Sequence, residues 1–232
     1  MPLTLQVNGD IEERIEALVS GMCWAEEMGT SLEVYWWFFS PYFQCAFDSF
    51  FSREAFPPWV LIREGMIESP LLIQSETHFI EKGFPSVIKA KSRFYHKNTE
   101  KWLSYLRLLR PSPGIKQRMN LIPTKDSIGI YVQNLSEPPV ALILAYIWKH
   151  HRGPSYFLLS TDCNETKRFL QLMFKDRLFV MLRTSNPVNQ KYFYDRILDF
   201  FCFSQCSTIL ECSRSKLMKL AAEYGGVPCT SL

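Results

Sequence analysis

A chain of 232 residues is long enough for one large domain or two small lobes, and too long for a disulfide-stapled miniprotein. Hydrophobic residues at 47% and charged residues at 21% are ordinary globular usage and exclude disorder, while aromatics at 15% allow a large apolar core. A formal charge of +3, from 26 Lys+Arg against 23 Asp+Glu, is too balanced for a nucleic-acid binder with a concentrated basic face.

Met1 to Val7 has no basic n-region and no long apolar h-region, so no secretion signal is expected. No run of about 18 apolar residues occurs, so no transmembrane segment is expected either, and the expectation is a cytoplasmic protein. Leu3 to Val7 alternates and ends at Asn8-Gly9, which predicts a strand and a turn. Ile11, Ile15, Leu18, Val19, Met22 and Ala25 recur at helical spacing, predicting a helix over about 10–28 with Gly29 as its C-cap. Ser31 to Trp37 supplies β-formers for a second strand, completing a βαβ unit with a right-handed crossover. Residues 38–95 are rich in Phe, Pro and Tyr and predict only short strands at Trp59–Ile62 and Leu71–Gln74. The aromatics over 35–59 either fill the core or anchor a protein partner. A helix is predicted over Asn98–Leu109, followed by the linker Arg110-Pro111-Ser112-Pro113-Gly114.

Beyond the linker the alternation is cleaner. It predicts strands at Ser127–Val132, Tyr156–Ser160, Leu178–Leu182 and Ser207–Leu210. The intervening helices are Pro138–His150, Asn164–Phe174 and Lys191–Phe203, and a last helix, Ser215–Tyr224, stops at Gly225-Gly226. The apolar run Val140–Trp148 suits a buried helix. Strands separated by helices of this length give an α/β fold with parallel sheets. The expected architecture is two Rossmann-like lobes, 1–110 and 111–232, with an interlobe cleft; ligands in such sheets bind beyond the carboxyl ends of the strands.

Seven widely spread cysteines read as reduced thiols, and Cys202, Cys206 and Cys212 lack the paired spacing of a zinc site. No metal site is expected. The Asn8-Gly9-Asp10 turn opens a helix N-terminus, an anion-receptive feature, with Arg14 in its first turns. Arg14 otherwise reads as a solvated partner of Glu12, Glu13 or Glu16. Tyr131 and Gln133 share one face of their strand, either as a polar edge or as donors to a ligand. Asp162 has the ordinary reading of an N-cap, as do Ser213 and Ser215. With Arg214 and Lys216, the two serines also form a candidate phosphate cradle. No Walker, dinucleotide, nucleophile-elbow or zincin motif is present.

At these same turns the sequence resembles the fucosyltransferase-like glycosyltransferases. Asn8-Gly9-Asp10-Ile11-Glu12-Glu13-Arg14 is similar to their Gly-Gly-x-x-Asn-Arg-x-Arg opening, and Leu109-Arg110-Pro111-Ser112-Pro113 to their junction between halves. Ile128-Gly129-Ile130-Tyr131-Val132-Gln133 stands in place of Gly-Val-His-Ile-Arg-Arg, and Phe157–Asp162 resembles Phe-Leu-Ala-Thr-Asp. Ser204 through Ser213 and Ser215 to Gly225-Gly226 resembles the serine-rich turn and last helix. The resemblance implies a two-lobed, metal-independent, inverting transferase that uses a nucleotide sugar, typically a GDP-sugar, and no other cofactor. It places Gly9, Tyr131, Gln133, Thr161, Asp162, Ser213, Ser215 and Lys216 on the donor, with Asp162 at the base and the serines at the pyrophosphate. Arg14 comes to the site from the first lobe, and Glu13 is the candidate base for a glycan acceptor.

The departures fall where charge matters. Tyr131 and Gln133 replace His and Arg, Asn134 replaces a second Arg, and Glu13 and Glu16 replace Asn and Arg. Each lost cationic donor to a leaving diphosphate is worth roughly 3 kcal/mol. Two functions therefore stand side by side. One is a fucose-like sugar transfer with an altered donor site; the other is a catalytically silent homologue that binds a glycan, a nucleotide or a protein.

Overall fold

The computed structural model describes residues 2–36, 45–67, 71–73, 87–133, 140–150, 155–181, 183 and 190–232, with only the backbone described at 71–73. The chain divides into two compact units, Met1–Gly114 with Val188–Phe193, and Ile115–Pro187 with Tyr194–Leu232.

In the first unit, β1 (Leu3–Val7) leads through Gly9 into α1 (Ile11–Glu27) and back to β2 (Leu32–Trp36). Gly9 has φ +89°, the left-handed region, and a Cβ there would sit 2.0 Å from Glu13 Oε2, so the turn requires glycine on both counts. A two-residue strand, β3 (Phe51–Ser52), precedes β4 (Val60–Glu64), β5 (Leu71–Ile73) and β6 (Val87–Ala90). The sheet order is β4-β2-β1-β6-β5 and its pairings are parallel. The short strands expected near 59–62 and 71–74 are β4 and β5; β6 was not expected. It inserts between β1 and β5, a place set by pairing rather than by its own four residues.

α2 (Thr99–Leu106) starts at an Asn98 cap whose side chain accepts from Lys101 N (3.0 Å). The proline segment is not the structureless linker its composition predicts. Arg110–Pro111 forms β7, antiparallel to β3, and Pro113–Met119 forms α3. Pro111 tolerates a two-residue strand with no ladder neighbour on its other side among the described residues, and Pro113 opens a helix where its missing N–H is no loss.

The described aromatics of the 35–59 region mostly fill the first core: Trp36 meets Phe47 (5.2 Å) and Phe51 (6.3 Å) edge to face, and all three are essentially inaccessible.

The second unit runs β8 (Ser127–Val132), α4 (Val140–His150), β9 (Tyr156–Thr161), α5 (Asn164–Phe174) and β10 (Leu178–Met181). It then continues through α6 (Gln190–Phe203, whose first turn belongs to the first unit), β11 (Thr208–Glu211), α7 (Lys216–Gly225) and β12 (Cys229–Ser231). The order β10-β9-β8-β11-β12 is parallel throughout. β8 is buried along its whole length, as a central parallel strand must be. Gly129 in β8 admits the Phe203 ring: a Cβ would meet it at 2.7 Å. α4 is not fully buried as its apolar run predicts; Ile143, Leu144 and Ile147 face the core, while Leu142 and Trp148 are exposed. No helix among the described residues is long and apolar enough to cross a membrane.

Candidate functional site

The second sheet reverses its winding between β8 and β11, so the loops leaving their carboxyl ends diverge. At the end of β8, Tyr131 is fully buried and its hydroxyl donates to Gln133 Oε1. Phe203 meets the Tyr131 ring edge-on at 5.8 Å, and the Arg183 guanidinium lies 4.6 Å from the ring centroid. Burial pushes the Tyr131 phenol up, against the pull of Arg183 and Arg196. Asn134 lies outside the described residues.

Arg183 follows β10 and is the principal residue that sequence reasoning missed. It forms an ion pair with Asp199 of α6, and its Nε donates to Ser160 Oγ. That hydroxyl in turn donates to Asp199 Oδ2 (2.9 Å). The side chains of Arg183 and Asp199 are 9% and 1% exposed. Burial alone would lower the Arg183 pKa; Asp199 and Tyr131 outweigh it and leave it raised. Arg183 Nη1 and Asp199 Oδ1 are buried and find no hydrogen-bond partner among the described residues. A signal for this network is present in the sequence, since Asp199 stands among Ile197, Leu198, Phe200 and Phe201, where a carboxylate needs a buried partner.

At the end of β9, Thr161 Oγ1 accepts from Cys163 N (3.0 Å) and Asp162 is exposed. The helix begins at Asn164, so its N-cap position falls on Cys163 and not on Asp162, correcting the ordinary reading of that aspartate. The first turn of the helix, Thr166 foremost, holds the Cys163 thiol below its usual range.

The turn after β11 already carries an anion. Glu211, inaccessible to solvent, accepts from Ser213 N (2.8 Å) and Ser215 N (2.6 Å) through Oε1 and from Ser231 Oγ (3.2 Å) through Oε2. Ser215 caps α7, accepting from Met218 N, and Lys216 is exposed at the helix start. Arg214 occupies the left-handed region with φ +51°, bending the turn so that both amides converge on one carboxylate. Ser213 Oγ is buried without a hydrogen-bond partner among the described residues.

In the first unit, Gly9, Glu13 and Arg14 are brought together. Glu13 Oε2 accepts from Asp10 N (2.9 Å) to close a capping box, and Glu13 pairs with Lys91 at 3.5 Å. Arg14 is not the solvated side chain of the ordinary reading. It is 1% exposed, donates through Nε to Gly9 O (2.8 Å) and through Nη1 to Val7 O (3.5 Å), and lies 5.4 Å from the Trp36 ring centroid. Burial lowers its pKa to about 10, partly offset by Asp10, Cys45 and Glu13. Among the described residues no group of three or more His, Cys, Asp or Glu is placed to hold a metal ion.

No family model matches the chain, and no curated protein matches it. Solved structures do. NodZ alpha-1,6-fucosyltransferase soaked with GDP-fucose superposes with a TM-score of 0.73 at 14% identity, over 97% of this chain and 93% of that one. A mutant of Arabidopsis thaliana FUT1 in complex with GDP gives a TM-score of 0.64 at 12% identity, over 99% and 69%. POFUT1 in complex with GDP gives 0.60 at 10% identity, over 99% and 98%. The fold is that of these fucosyltransferases. At such identities the likeness concerns backbone; the polar groups at the carboxyl ends of this second sheet are Tyr131, Gln133 and Arg183, with Glu211 in the serine turn.

Proposed function

We propose that this chain is a glycosyltransferase that holds a nucleotide sugar, GDP-linked for preference, at the carboxyl edge of its second sheet. It passes a fucose-like sugar to a glycan acceptor with inversion and without a metal. The observation that carries this reading is the reversal of strand order between β8 and β11, the kind of position at which open parallel sheets bind nucleotides. Neighbours of the same fold solved with GDP or GDP-fucose support it. In such a transfer the acceptor oxygen forms a bond to the sugar carbon as the diphosphate leaves, so negative charge grows on the leaving oxygens and a base takes the acceptor proton. Asp162, exposed after β9, would take the nucleotide base; Gln133, Ser213 and the exposed Lys216 would donate to the diphosphate. Glu13, which accepts from Asp10 N, would be the base, and Arg14, tied to Gly9 O, would act by shaping the turn that carries it.

A thermal shift with GDP, GDP-fucose and UDP tests this. Stabilisation by the GDP ligands that Asp162→Ala abolishes, with GDP released from GDP-fucose on adding oligosaccharide, is the expected outcome. No shift with any nucleotide overturns it. A second reading, a silent homologue, is favoured by Glu211, whose carboxylate occupies the two amides a pyrophosphate would use. It predicts that GDP-fucose is never turned over.

A further inference from the structure

A groove of about 690 Å³ in the first unit has Trp59, Phe56, Pro57, Tyr105, Glu26 and Lys101 in its lining, none of them in that unit's Gly9 turn. Its volume is in the range of about 300–1,000 Å³ found for small-ligand sites. Trp59 directly precedes β4 and Glu26 sits in the last turn of α1, so the groove is at the amino-terminal edge of the first sheet, opposite its strand carboxyl ends.

Its chemistry is specific. Trp59 stands edge to face with Tyr105 (5.9 Å, 87°) and is itself only half-buried, leaving aromatic surface at the groove. Lys101 Nζ forms an ion pair with the Glu26 carboxylate, and the neighbouring Tyr105 phenol is pushed up by burial and by that carboxylate. Both polar partners are thus fixed in place, and their charges cancel locally. Ser104 and Asn98 add a hydroxyl and a carboxamide to the lining. A pyranose matches this surface: one face of C–H bonds packs on an indole or phenol ring, while the equatorial hydroxyls need both donors and acceptors around it. With Glu26 and Lys101 paired to each other, a phosphate would meet the remaining carboxylate of Glu100.

We infer that this groove is a binding site for an uncharged oligosaccharide, seated on Trp59 and hydrogen-bonded by Glu26, Lys101 and their neighbours. The site is complete within the first unit and does not depend on the second unit's binding GDP.

The test titrates the full chain with cellotetraose, N-acetylchitotetraose and an N-acetyllactosamine tetrasaccharide up to about 10 mM, following tryptophan fluorescence and saturation-transfer NMR. At least one is expected to bind saturably. Trp59→Ala should weaken it at least tenfold and Glu26→Gln several-fold, while the thermal response to GDP stays as in wild type. Absence of binding by all three overturns the inference, as does unchanged affinity in a folded Trp59→Ala. Tighter binding of a sulfated tetrasaccharide or of choline overturns the ligand class. A missing GDP response alongside intact oligosaccharide binding would reject only the nucleotide reading.

Discussion

Arg14 and Arg183 are both buried near the carboxyl edge of a parallel sheet, one in each unit, yet their surroundings move them in opposite directions. Arg14 donates to the carbonyls of Gly9 and Val7, so burial dominates and its pKa falls to about 10. Arg183 has Asp199 against it, which outweighs burial and holds the guanidinium charged. A backbone carbonyl satisfies a guanidinium geometrically, but only a carboxylate replaces the water it has lost. Arg14 is therefore a prop for a turn, and Arg183 is a secured charge beside the proposed donor site. The two anion-receptive turns differ in a parallel way. Glu13 reaches back to a single amide in an ordinary capping box, whereas Glu211 is wholly enclosed and takes two amides and a hydroxyl.

The sharpest way to break this contrast is Asp199→Ala. Leaving Arg183 buried without its partner should cost about 3–5 kcal/mol by urea unfolding. Replacing both residues by apolar ones should restore much of that. A loss under about 1 kcal/mol for the single change would mean that the pair is not closed from water. Next comes Glu211→Gln, which removes a charged acceptor from two amides and should destabilise by about 1.5–3 kcal/mol. The same change should increase the thermal response to GDP or pyrophosphate, because the weaker carboxamide acceptor no longer repels an outside anion and is more easily displaced from the two amides. An unchanged response would show that the diphosphate does not use these amides. Arg14→Met should cost less, about 1–2 kcal/mol, since lost hydrogen bonds are set against a burial penalty that disappears.

The smallest effect concerns the thiols. Burial pushes Cys23, Cys45, Cys206 and Cys212 up to about 12 from an ordinary 9.0. Unfolded thiols release their protons first, so this contribution is fully present below pH 9.0 and is lost as pH climbs towards 12. Melting temperature should fall between about pH 8 and pH 10 by an amount that shrinks when Cys206 is replaced by Ala; an unchanged slope would contradict the assignment. At about pH 8, alkylation mapped by mass spectrometry should strike Cys163 first.

What the sequence makes legible follows the range of the interactions involved. The βαβ start, the α/β alternation after residue 127 and the Ser215 cap rest on local periodicity and were readable. β6 and β12 are short strands whose place comes from their partners, β1 and β11, and β7 exists only because Phe51–Ser52 lies opposite. The site divides along the same line. Tyr131, Gln133, Ser213 and Ser215 stand at strand ends that a pattern can locate. Arg183 with Asp199 and Ser160, and Glu211 with Ser231, are joined across 16 to 39 residues by burial, which no spacing announces.

Hydrogen exchange read by mass spectrometry, with and without saturating GDP-fucose, tests the central claim most directly. Slowed exchange is predicted at the peptides covering Tyr131–Gln133, Thr161–Cys163 and Glu211–Lys216. Unaltered exchange in all three, or protection confined to the first unit, would contradict it.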